Sequence, residues 1–84
     1  MRLPIIKHTL SFIQENDVDF ILETMEVLEH LADARGIKDE ELDVIGELIS
    51  NLAGAIEVYE EVKNGTPEKE ALNAFMKRVQ GSIS

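Results

Sequence analysis

The sequence has no cysteine and no tryptophan, and only two prolines. Without cysteine the chain has no disulfide, no thiolate nucleophile and no cysteine-ligated zinc or iron–sulfur site. Its aromatic residues are three Phe and one Tyr although 44% of the chain is hydrophobic, so aliphatic side chains must fill the core. A length of 84 residues suffices for one domain, and we expect a single helical domain over residues 1–84.

Basic residues are also scarce, since 8 Lys and Arg stand against 17 Asp and Glu, for a net charge of −9. The imbalance is concentrated in residues 15–61, where fifteen acids accompany only Arg35 and Lys38. Such a chain repels phosphate groups because it has no basic stripe. We therefore expect no nucleic-acid partner and no anionic membrane partner.

A long hydrophobic run is also missing. The opening residues, MRLPIIKHTL, contain a few apolar side chains that Lys7 and His8 interrupt, which fits neither a signal peptide nor a membrane-spanning segment. We therefore expect a cytoplasmic location.

Apolar spacing and capping residues predict four helices and no strands. The predicted helices are Pro4–Gln14, a second from a cap at Asn16 or Asp17 to about Arg35, a third from a cap at Asp39 to about Lys63, and a fourth from Thr66-Pro67-Glu68 to a stop at Gly81. Their connections are short, which is typical of helices that pack beside their neighbours. We expect an all-α, four-helix bundle-like domain with the long third helix at its centre.

The third helix carries two apolar strips with small residues between them. The first strip is Leu42, Ile45, Ile49, Leu52, Ile56 and Tyr59, the second is Val44, Leu48, Ala55 and Val62, and the small residues are Gly46, Ser50, Ala53 and Gly54. A helix that is apolar on two sides must be covered on both, and glycine costs a helix up to ~1 kcal/mol relative to alanine. We predict that the small residues and the second strip form the interface of a homodimer. The alternative is that the first or fourth helix crosses here within the chain.

Glu26 and His30 are the candidate metal ligands, because they lie one helical turn apart. A di-iron bundle site needs two Glu-x-x-His motifs, whereas this pair has a different spacing and no second motif. A solvated acidic face with one histidine explains the pair more simply. The five glycines are isolated, and no recognisable motif supplies a base for a serine, so we expect no catalytic residue, no cofactor and no enzymatic activity.

Most of the chain resembles a small bacterial family of uncharacterised proteins, known as a domain of unknown function. The stretches that carry the resemblance are RLPIIKH, NDVDFILETMEVLEHL, KDEELDVIGELISN and NGTPEKEALNAFMKRVQGSI. The resemblance implies a free-standing cytoplasmic protein encoded near thioredoxin or peroxiredoxin genes, and hence a redox-linked protein partner. It transfers no functional residue, and without cysteine the chain could serve a redox system only as an accessory.

These observations lead to one principal functional hypothesis and two alternatives. The principal hypothesis is a non-enzymatic interaction or regulatory module that self-associates and offers an acidic face to a protein partner. The first alternative is a small ligand-binding or metal-binding helical protein. The second is an acidic mimic of nucleic acid, which would need carboxylates at phosphate-like spacing on one exposed face.

Overall fold

The computed structural model describes the backbone of residues 2–83 and the side chains of residues 2–80, and this part of the chain is all-α. Its elements are α1 (Leu3–Glu15), α2 (Val18–Ala32), α3 (Asp39–Lys63) and α4 (Glu68–Ile83). The predicted all-α fold is confirmed, and so is the central third helix, because α3 contacts each of the other three. Within the described residues, none of these helices is both long enough and apolar enough to cross a membrane.

Capping explains where α2 begins, and a tightened last turn explains where it ends. Asp17 precedes α2, and its Oδ1 accepts a hydrogen bond of 3.0 Å from the amide of Asp19. The helix ends at Ala32, three residues before the predicted end, because the next two amides donate to carbonyls three residues back rather than four. Gly36 lies in the following turn with φ +79°, a conformation that favours glycine.

Two details predicted for α3 and α4 are wrong. Asp39 is the first residue of α3 rather than its cap, and the amide of Lys38 donates to Glu41 Oε1 at 3.0 Å. Gly81 does not end α4, which continues to Ile83. A single glycine weakens a helix by about 1 kcal/mol, which does not force the chain to turn.

The hydrophobic core surrounds the second half of α3. Its buried side chains are Ile6, Leu10 and Ile13 of α1, Ile21 of α2, Ala55 and Val58 of α3, and Ala71, Leu72 and Phe75 of α4. No buried core residue comes from α3 before position 51, although the end of α2 lies beside that half of the helix, where Leu31 shares a cleft with Glu41 and Ile45. The first half of α3 and the end of α2 therefore form a two-helix arm that α1 and α4 leave partly uncovered.

At Gly54, side chains of both α1 and α4 lie directly against the backbone of α3. A Cβ atom built on Gly54 would lie 2.7 Å from Phe75 Cζ and 3.5 Å from Ile6 Cδ1, and real Cβ contacts are essentially never as short as the first. Glycine is needed here because Phe75 occupies the space that a side chain would take. The close approach predicted at this residue is present, and it is made within the chain.

Asn51 fastens the beginning of α1 to the middle of α3. Its side chain is fully buried, its Oδ1 accepts a hydrogen bond of 2.9 Å from the amide of Arg2, and its Nδ2 donates to the carbonyl of Glu47 at 2.7 Å. The amide of Arg2 precedes the first turn of α1 and has no partner inside that helix. Asn51 therefore fixes the point on α3 at which α1 begins.

Replacing Asn51 with leucine should lower the free energy of unfolding by about 1–2 kcal/mol, because the amide of Arg2 loses its acceptor. Urea denaturation measures this change, and hydrogen exchange should show faster exchange in the first turn of α1. The matched control is Asn73→Leu on the exposed side of α4, which should change stability by less than about 0.5 kcal/mol. Equal losses in the two variants would contradict the role given to Asn51.

Candidate interaction surface

One side of α3 is covered along its second half and bare along its first half. A stripe with alternating steps of four and three residues comprises Val44, Leu48, Asn51, Ala55, Val58 and Val62. Residues at this spacing lie on one face of a helix. Asn51, Ala55 and Val58 are buried and Val62 is half-buried, whereas Val44 is 57% exposed and Leu48 is 37% exposed. The first turn of α1 lies over Asn51, and the residues of the stripe that precede Asn51 are exposed.

A second bare stripe runs along α2. Phe20, Thr24, Val27 and Leu31 follow the same spacing, and all four are exposed, with Val27 at 60%. They lie beside the stripe that α2 turns towards the core, which contains Ile21 and Met25. At one end of the bare stripe, the Phe20 ring meets the Phe12 ring of α1 edge-on, with 5.8 Å between centroids. Phe12 therefore marks the boundary between the part of α2 beside α1 and the part beyond it.

The two bare stripes lie on the same side of the two-helix arm. Glu41 and Ile45 of α3 line a shallow cleft with Leu31, and they also line the adjoining cleft with Val44. Leu31 and Val44 therefore flank the same pair of residues. We define the open face as the five large apolar residues that the two stripes expose on this side. They are Phe20, Val27 and Leu31 of α2, and Val44 and Leu48 of α3.

The open face has an acidic rim. Glu23 follows Phe20 on the outer edge of α2, and Glu40 and Glu47 flank Val44 on the outer edge of α3. Glu41 stands between the two helices, where it lines both clefts. All four carboxylates are exposed. Both long edges of the apolar surface are therefore negatively charged.

The eight residues predicted for a dimer interface divide into two groups. Gly54 and Ala55 are buried in the core and Val62 packs against it, so contacts within the chain account for these three. The other five are exposed: Val44, Gly46, Leu48, Ser50 and Ala53. A Cβ built on Gly46 would meet nothing within 4 Å. The structure thus brings Val44 and Leu48 into the open face and leaves Gly46 in open space.

The candidate metal ligands Glu26 and His30 lie on the outer side of α2, and both are exposed. No three His, Asp or Glu side chains converge to hold a metal ion in the part of the chain that the structure describes. Neither residue lies in the open face.

A protein-family model matches residues 1–84, and it describes a family of unknown function. The chain belongs to the family DUF6952. The resemblance to an uncharacterised family is therefore confirmed for the whole length of this DUF6952 chain, whereas the bacterial origin and the gene neighbourhood remain predictions. No curated protein and no solved structure matches the chain.

The α2 half of the open face lies outside the interface that the sequence predicts. Phe20, Val27 and Leu31 follow the helical spacing of 20, 24, 27 and 31, but the polar Thr24 interrupts that stripe. The neighbouring stripe of Val18, Ile21, Met25 and Leu28 is wholly apolar; its first three residues pack in or against the core, and Leu28 is half-buried. The signal that indicates this surface is a second apolar stripe on α2, because a helix that is apolar on two sides needs a partner on both, as α3 does.

Proposed function

We propose that this DUF6952 chain is a non-enzymatic interaction module and that the open face with its acidic rim is its binding surface. The observation that supports the proposal is the half-covered stripe of α3. Its second half is buried by α1 and α4, and its first half ends in Val44 and Leu48, which lie in solvent. Contiguous apolar side chains with a polar rim are typical of interaction sites on small soluble proteins.

Self-association is one use of this surface. The homodimer predicted from the sequence now depends on its exposed residues, Val44, Gly46, Leu48, Ser50 and Ala53, since Gly54, Ala55 and Val62 already pack within the chain. A partner from a thioredoxin or peroxiredoxin system is another use, and any reacting thiol would then belong to the partner because this chain has no cysteine.

The two alternative functions receive less support. The metal-binding alternative has no cluster of three ligands among the described residues. A nucleic-acid mimic needs an unbroken acidic surface, whereas Glu23, Glu40 and Glu47 flank large apolar side chains. The open face therefore favours a protein partner.

Site-specific photo-cross-linking in the native cells tests the proposal. A benzophenone amino acid in place of Val27 or Val44 should give a discrete adduct, because both positions lie in the open face. The matched control is the same replacement at Leu22, which is 46% exposed on the opposite flank of α2. Adducts from positions 27 and 44 but not from 22 are expected, whether with a second copy or with another protein. If none of the three positions gave a cross-linked adduct, the proposed function would be contradicted.

A further inference from the structure

We infer that the open face takes an amphipathic helix whose polar side is basic; this inference rests on the proposed function and specifies its partner. The first support is geometric. The bare part of α2 from Phe20 to Leu31 and the bare part of α3 from Glu40 to Leu48 lie side by side. Each is about 12–17 Å long at 1.5 Å per residue. An occupant helix of two to three turns spans that length.

The manner in which the chain covers its own α3 shows what kind of element fits. Beyond Asn51, the stripe that contains Val44 and Leu48 is buried by two helices, α1 and α4. The same stripe continues towards the beginning of α3 with the same spacing and the same kind of side chains. A helix that lies there packs on the surface in the way that α1 does, with its apolar side chains at steps of three and four residues.

Charge decides between a second copy and another chain. Glu23 lies on one long edge of the open face, and Glu40 and Glu47 lie on the other. A second copy laid face to face therefore opposes carboxylates with carboxylates in either orientation, which is unfavourable. Lysine and arginine are absent from the helical stretches 18–32 and 39–50 that carry the open face. Arg35 and Lys38 lie in the turn at one end of it, and Arg2 lies beside Asn51 at the other. A helix with lysines or arginines along its polar side complements both edges.

The same charges disfavour other occupants of an apolar surface. Residues 15–61 carry fifteen acids and two bases, so an anionic lipid surface is repelled where the apolar side chains would have to insert. A basic helix instead gains from steering by this charge, which accelerates association and weakens with added salt.

The probe that tests the inference is a fluorescently labelled peptide of about 14 residues, built from leucine and lysine with leucines at steps of three and four. Its binding to the full chain is measured by fluorescence anisotropy. A scrambled peptide of the same composition removes the apolar stripe, and a peptide with glutamate in place of lysine reverses the charge. The leucine–lysine peptide should bind at least tenfold more tightly than either control, and at least tenfold more weakly in 0.5 M than in 0.05 M NaCl.

Substitutions in the protein test whether the peptide binds to the open face. The double variant Val27→Gln and Val44→Gln should weaken binding at least tenfold, and Glu40→Gln with Glu47→Gln should weaken it and reduce its salt dependence. The matched controls are Leu22→Gln and Glu29→Gln on the other flank of α2, which should change affinity less than twofold. Circular dichroism establishes that each variant keeps its helical content.

Three results would overturn the inference. These are equal weakening by Leu22→Gln, equal binding of the glutamate peptide, and a dimer in sedimentation that Val27→Gln and Val44→Gln convert to a monomer. The third result leaves the proposed function standing, because the open face would still be an interface, with a second copy as its occupant. Failure of the proposed function is seen separately, as an absence of adducts in the cross-linking experiment.

Discussion

Leucine in place of Gly54 is expected to lower the free energy of unfolding by about 3 kcal/mol. A Cβ at this position would lie 2.7 Å from Phe75 Cζ and 3.0 Å from Phe75 Cε2, so even one added carbon displaces a buried ring. Overpacking of this kind costs typically 1–3 kcal/mol and occasionally more, and leucine adds four carbons. The better helix propensity of leucine offsets less than about 1 kcal/mol of that loss. In a domain of this size, the melting temperature should fall by more than about 10 °C.

Gly46→Leu is the matched control for this prediction. The same substitution lies in the same helix, but a Cβ there meets nothing within 4 Å. Only the helix propensity of the residue then changes, and the free energy of unfolding should rise by about 0.5–1 kcal/mol. Thermal and urea denaturation of the two variants measure the contrast. Similar losses in both variants would mean that Gly46 is also covered, as it would be at the interface predicted from the sequence.

Alanine in place of Phe75 should cost about 3–5 kcal/mol, the largest loss expected from any single truncation here. The ring is 3% exposed, it fills the space beside Gly54, and the Arg78 guanidinium carbon lies 5.8 Å from its centroid. Truncation leaves a cavity between α3 and α4 that Gly54 has no side chain to fill. Denaturation by urea measures the loss, and a measurable fraction of the molecules should be unfolded at room temperature.

Phe20→Ala provides the comparison, because its ring is 54% exposed in the open face. This variant loses the edge-on contact with Phe12 and little else, so its cost should be about 1 kcal/mol. A loss at Phe20 as large as that at Phe75 would show that the open face is buried in solution.

The helical content and the central position of α3 could be predicted because they depend on local patterns. Proline, glycine and acidic residues marked most of the boundaries, and the apolar strips marked α3 as a helix with neighbours on two sides. The details that failed are also local. Lys38 precedes α3 in place of the predicted Asp39, because Glu41 reaches back to its amide.

The partner of each apolar strip could not be predicted, because it depends on contacts between residues distant in sequence. Gly46, Ser50 and Gly54 look like one series, yet each step of four residues turns a helix by about 40° beyond a full circle. Gly54 is therefore turned by about 80° from Gly46, which places one in the core and the other in solvent. The hydrogen bond between the amide of Arg2 and Asn51 Oδ1 also joins residues 49 apart in sequence, so no local pattern predicts it.

The most direct test of the open face is a methyl-detected NMR titration of the full chain with the leucine–lysine peptide. The account predicts that the largest shifts fall on the methyl groups of Val27, Leu31, Val44 and Leu48, while those of Leu22 and the buried Val58 stay nearly unchanged. Shifts concentrated at Leu22 and Ala53, or spread evenly over the chain, would contradict it.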